Sequence, residues 1–276
     1  MNEHPSQSRQ GSGQRKKTEV EGFGVSYDRY IMTRQQQILA SQLGLQSVLE
    51  SPSHGAKAAG SLYSVGYALA GSDVTLVNPE KDPLKYWEKL GIQERLRTSD
   101  VDDPLNLPFQ AESFDMAWNF VTFTELNSPD HWLREMIRVS TRYVMVIACN
   151  NFQAGYPWHR IIHRLWGFPW NHGNVKYNYP WVVKRWFKEH GLSIVEAGAI
   201  DSPPWPDPVG FRDIRLHKHY APEENTDPEW IVPMMDCLHE EKIPWWVKML
   251  SWYDIPLRRG YWKLPFSHLF YVIGKV

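Results

Sequence analysis

The stretch LNLPFQAESFDMAWNF, Leu105 to Phe120, decides how this chain is read. Its first half is a polar turn, and its second half is an apolar run broken by Asp115 and Asn119. An apolar run of that length behind a turn is a buried strand. The same signature recurs on both sides of it. SVLE (Ser47 to Glu50), DVTLVNP (Asp73 to Pro79), a weaker segment near Glu94 to Ser99, RYVMVIACN (Arg142 to Asn150), LSIVEAGAI (Leu192 to Ile200) and HLFYVIGKV (His268 to Val276) all read as strands. Helical spacing separates them: Gln36 to Leu43, SLYSVGYALAG closed by Gly71, Pro83 to Leu90, and Asp130 to Val139 with Trp132, Leu133, Met136 and Ile137 on one face. Nearly continuous apolar strands alternating with amphipathic helices specify a parallel sheet covered on both faces, a three-layer α/β fold.

Composition bounds the rest. The 276 residues are 42% apolar and carry 30 basic against 31 acidic side chains, enough for one large core. So even a balance gives no electrostatic footprint for a nucleic-acid polymer and favours a small-molecule partner. The two cysteines, Cys149 and Cys237, have neither metal-ligand nor disulfide-framework spacing, which fits a reducing, cytoplasmic setting. Residues 1–22 are polar and read as a disordered arm, leaving one domain over 23–276. No run of some eighteen apolar residues offers a membrane span. Fourteen tryptophans, interleaved after Trp158 with Lys and Arg, suit either packed aromatic core or a lipophilic pocket, a protein contact or a peripheral membrane surface.

In open α/β sheets ligands sit beyond the carboxyl ends of the strands, where strand order reverses. The polar groups at those ends are Glu50, Asn78, Asp100 to Asp103 and Asn119, with Phe120 beside the last.

VLE with a glycine-containing loop, VTLVNP, DDPLNLPFQAESFDMAW and LREMIRV together resemble class I S-adenosylmethionine-dependent methyltransferases of the type 11 group. LPFQAESFD (Leu107 to Asp115) and REMIRV (Arg134 to Val139) carry the likeness best. It covers roughly residues 24–201 and resumes at His268 to Val276 as the family's last, antiparallel strand. The resemblance implies a Rossmann-like seven-stranded sheet and S-adenosyl-L-methionine as cofactor. It also implies roles: Glu50 near the methionine part, Gly55 and Gly60 in the ligand-facing turn, Asn78 at the ribose hydroxyls, Asp103 or Asp100 at the adenine amine, Asn119 and Phe120 beside the cofactor. Departures are evident, because Pro52 and His54 stand where glycines belong and Asn78 replaces an acid. These departures favour a methyltransferase-like binding or assembly module without transfer activity; Glu50 and the aromatic lid favour an active enzyme acting on a small hydrophobic or aromatic acceptor or a thiol.

The lid segments are about 152–180 and 203–265, and both are taken as covering one crevice. His159 and His163 share a face of PWHRIIHRLW, and with Tyr156 they are the candidates for acceptor proton chemistry. No third ligand accompanies the two histidines, so no metal is expected.

Overall fold

Strand order is what places the site. The structure, a computed structural model, describes residues 18–54, 59–167, 174–203 and 229–276, except for the side chain of Phe23. A two-stranded ribbon joins β1 (Thr18–Val20) to β8 (Glu229–Ile231) in parallel. The main sheet contains β2 (Ser47–Glu50), β3 (Asp73–Val77), β4 (Leu96–Ser99), β5 (Phe114–Phe120), β6 (Ser140–Cys149), β7 (Ser193–Ile200) and β9 (Leu269–Lys275). Its order is β4-β3-β2-β5-β6-β9-β7. β9 runs antiparallel to β6 and β7, and the other pairs are parallel. This is the Rossmann-like methyltransferase fold implied by the sequence, with its antiparallel last strand. The chain lays β2, β3 and β4 outward in one direction, then returns to put β5 on the other side of β2. The tips of β2 and β5 are therefore the switch point, where the loops diverge and where open sheets of this kind take their ligands.

Helices cover both faces because the strands are apolar on both. One core packs α1 (Phe23–Leu43), α2 (Val65–Leu69) and α3 (Lys85–Lys89) on the sheet through Tyr27, Ile31, Leu39, Val65 and Trp87. The other packs α4 (Pro129–Val139) and α6 (Pro180–Glu189) through Trp132, Met136, Val183 and Phe187. Between these two in the chain, α5 (Tyr156–Trp166) follows β6.

Three sequence expectations change. The helix anticipated from Gln36 begins at Phe23, because Arg29, Thr33, Gln35 and Gln36 are buried rather than solvated and hide the apolar period. Residues 18–20, assigned above to a disordered arm, form β1, and Glu21 closes a buried ion pair with Arg29; residues 1–17 lie outside the described residues. The described part of the second lid segment is not a detached cap. α7 (Pro233–His239) and α8 (Trp245–Asp254) complete the core on α1, with Trp230, Val232, Met234, Met235 and Val247 buried there. Asp254 fastens the end of α8, accepting hydrogen bonds from Tyr27 Oη at 3.0 Å and the Ser202 amide at 2.8 Å and pairing with buried Lys263.

β7 lies at the edge of the main sheet, and residues 258–260 pair along it: the Ala199 amide donates to the Arg258 and Gly260 carbonyls, and the Gly260 amide to Ala197. Covering the edge removes unpaired ladder groups. The approach demands glycine, since a Cβ on Gly198 would stand 1.9 Å from the Arg258 carbonyl oxygen. Gly198→Ala should therefore cost about 1–3 kcal/mol in overpacking, read as a lower urea midpoint at unchanged slope; an unchanged midpoint contradicts this account of the edge.

Candidate active site

The backbone at the switch point is held in conformations that side chains disfavour. Asn78, directly after β3, has φ 53°, and Val121, directly after β5, has φ 63° and ψ −40°. For a β-branched residue the left-handed region costs on the order of 1–3 kcal/mol, so the surrounding structure must impose it, and such strain collects at functional sites. Asn78 is held by Val101 and Ser99, the Val121 amide by the Ile147 carbonyl, and a set of clamps fixes the loop after β2 beside them. The Ser51 amide donates to the Trp118 carbonyl at 3.1 Å, and the Ser53 amide to Val77 at 2.8 Å. Asn119 Nδ2 donates to the carbonyls of Ser51 and Pro52, each at 3.0 Å, and Trp132 Nε1 also reaches Ser51. Asn119 Oδ1 accepts the Phe123 amide at 2.8 Å. Asn119 is fully buried, and its amide shapes the loop.

Glu50 ends β2 at the centre of this frame and is 1% exposed. Its carboxyl accepts from Ser64 Oγ at 2.6 Å, and that oxygen in turn accepts from Trp118 Nε1 at 2.9 Å. Burial pushes its pKa up from 4.5 to about 8, against the opposing effects of Ser64 and the Arg29 charge. The site thus holds a carboxyl that is protonated at neutral pH until something cationic compensates it.

Above it stands a column of rings and charge. Tyr63 stacks on Phe120 with centroids 4.0 Å apart, and the Arg29 guanidinium lies over the Tyr63 ring at 4.4 Å. Arg29 also donates to the Ala59 carbonyl, so α1 grips the loop after β2. Among the described residues, Arg29 Nη1 and Ser51 Oγ are buried without a hydrogen-bond partner. Arg29, Tyr63 and Ser64 were not singled out in the sequence. No pattern marks Arg29, because α1 also carries the exposed Arg34 and only packing separates the two.

Gly60 donates its amide to the Glu80 carboxylate at 3.0 Å, and a Cβ there would stand 2.6 Å from that carboxylate and push the side chain aside. Gly55 lies outside the described residues. Asn78 uses both ends of its amide on Val101, donating to its carbonyl at 2.9 Å and accepting its amide at 2.7 Å. Asp103 is exposed and caps its own turn through the Leu105 amide, which with Asn106 lowers its pKa. Asp100 is exposed too. Tyr156, His159 and His163 lie on the inner face of α5, the histidine rings stacked at 4.8 Å. Burial raises the Tyr156 pKa, keeping the phenol protonated. Among the described residues, one group brings three metal-ligand atoms within 4.8 Å of one another, Asp28, Asp201 and His268. His268 Nδ1 is 3.1 Å from Asp201, an ion pair when the ring is protonated.

Residues 58–144 match the family model described as Methyltransferase domain. The match spans β3 to β6 and leaves β2 and the lid outside. Among solved structures, the chain is similar to a Thermotoga maritima protein described as a SAM-dependent methyltransferase, possible histamine N-methyltransferase, at 14% identity and TM-score 0.47, over 92% of this chain and 96% of that one. It is similar to the geranyl diphosphate C-methyltransferase of Streptomyces coelicolor at 12% identity and TM-score 0.46, over 91% and 82%. An Aquifex aeolicus SAM-dependent methyltransferase matches at 14% and TM-score 0.43, over 66% and 94%. No curated protein matches the chain. The fold assignment stands on the strand order rather than on these distant likenesses.

The buried carboxyl gives a pH dependence with a definite sign. Folding favours neutral Glu50, so its contribution to stability is complete below pH 4.5 and is withdrawn as the pH rises toward 8. Glu50→Gln is neutral throughout. The melting temperature of the native protein should therefore fall more steeply than the variant's between about pH 5 and pH 8; parallel curves would mean that Glu50 is not sealed from water.

Proposed function

We propose that the protein is an S-adenosylmethionine-dependent methyltransferase acting on a small, hydrophobic or aromatic acceptor. The observation that carries the proposal is Glu50, a buried carboxyl at the switch point of a methyltransferase-type sheet, raised to about pH 8 and lacking a strong compensating cation. S-adenosylmethionine supplies a sulfonium methyl group and brings an ammonium. A cation beside Glu50 favours the ionised carboxylate, which then holds it. Arg29, with a buried donor to spare, fits the carboxylate end of the same amino-acid moiety. Phe120 offers a sulfonium the ring face that Tyr63 does not cover. Gly60 keeps the loop free of side chain. Asn78 serves the ribose only by exchanging its bonds to Val101, and Asp103 or Asp100 takes the adenine amine from the exposed rim.

Methyl transfer by displacement depends chiefly on alignment, so the protein's work is to hold the acceptor in line and exclude water. On the inner face of α5, His159 and His163 are the candidate bases for an acceptor that must lose a proton, and Tyr156 a donor that orients it.

A second reading, a methyltransferase-like binding module without transfer, is favoured by the committed amide of Asn78. Calorimetric titration separates the two. Binding of S-adenosylmethionine or its demethylated product should release up to one proton below about pH 8, seen as a buffer-dependent heat, as Glu50 ionises. Glu50→Gln should abolish the proton release and weaken binding by about tenfold or more, the size of one lost charge-assisted contact. No heat and no thermal shift with either ligand would end the proposal. Binding without methylation of any acceptor would leave the module.

A further inference from the structure

The amphipathic order of α5 is inverted. Its inner face is Tyr156, His159 and His163, and its outward face is Trp158, Ile161 and Leu165, with Trp158 63% and Leu165 75% exposed. Positions three, four and seven apart share a helical face, so these three form one stripe. Arg160 and Arg164, both exposed, flank it. The stripe continues onto neighbouring loops. The Ala154 amide bonds the Pro265 carbonyl at 3.0 Å, setting exposed Phe266 beside the start of the helix, and Phe152 packs on exposed Trp181 at 4.8 Å. A separate exposed stripe, Trp245, Met249 and Trp252, lies on α8, in the layer of α1 rather than that of α6.

We infer that this aromatic face docks on an anionic lipid surface. Three observations select that partner. The exposed charges of α5 beside the stripe are Arg160 and Arg164, and the helix carries no acid, a positive edge matched to acidic headgroups. Trp158 and Trp181 bring indoles, whose flat apolar body and single N–H suit the headgroup boundary. Self-association through the same face would set Arg160 and Arg164 of two copies against each other across a two-fold axis. An interfacial helix lies flat with its apolar face buried in the headgroup boundary. The buried histidines on the opposite side of α5 then face away from the lipid.

The inference stands apart from the methyl-transfer reading, because vesicle binding needs no cofactor. The full chain is sedimented with phosphatidylcholine vesicles with and without phosphatidylserine. It should pellet with the anionic vesicles, and high salt should weaken the association. Arg160→Glu with Arg164→Glu should lower partitioning to the anionic vesicles by about tenfold or more, from roughly 1 kcal/mol per basic residue. Trp158→Ser with Leu165→Ser should lower it similarly while leaving the melting temperature unchanged, since both side chains are exposed. Failure to pellet with either vesicle, equal pelleting by all variants, or a lipid-free dimer in sedimentation velocity that Trp158→Ser with Leu165→Ser dissolves would each overturn it.

Discussion

A carboxyl group in the wrong dielectric is the constraint on which this site turns. Glu50 is carried into the sheet by β2, the strand from which the chain builds in both directions, and it has nowhere to go but the junction of four loops. Burial outweighs the hydrogen bond from Ser64, itself held by Trp118, and keeps the carboxyl neutral. Neutralising it spares the desolvation cost of a buried charge and leaves an anion to be created on demand. The clamps from Asn119, Trp132 and the strand backbones keep the loop after β2 from relaxing toward solvent, and the left-handed turns at Asn78 and Val121 stand beside it.

The polar face of α1 is the second element. Arg29 and Gln36 reach across to Ala59, Tyr63 and Gly66, so the helix preceding the sheet holds the loop that a ligand would meet. Through the buried Arg29–Glu21 pair, the N-terminal strand joins the same network. Breaking such a pair strands a buried charge, so the chain's beginning and the loop after β2 are energetically linked.

The sheet was legible because its strands are apolar on both faces and separated by turn residues; Phe114 to Phe120 and Ser47 to Glu50 sit where the sequence places them. What stayed hidden shares one property: polarity at buried positions. Arg29, Gln35 and Gln36 masked half of α1, and Glu21 with Thr18 to Val20 looked like solvated arm. The resemblance pointed to Glu50, Gly60 and Asn78, but hydrogen bonding decides what each side chain is doing, and no pattern in the sequence says that Asn78 is held by Val101. The tryptophans divide the same way. Trp87, Trp118 and Trp132 are core, whereas Trp158, Trp245 and Trp252 face outward, and only tertiary packing separates the two groups.

Whether a cationic amino-acid moiety sits against Glu50 at the tips of β2 and β5 is decided by a crystal structure grown with the demethylated product of S-adenosylmethionine. Density is expected between the loop after β2 and Phe120, with the product's ammonium within hydrogen-bond reach of the Glu50 carboxylate. A structure under saturating product in which Tyr63 still stacks on Phe120, Glu50 still bonds only Ser64, and no density lies between them would contradict it.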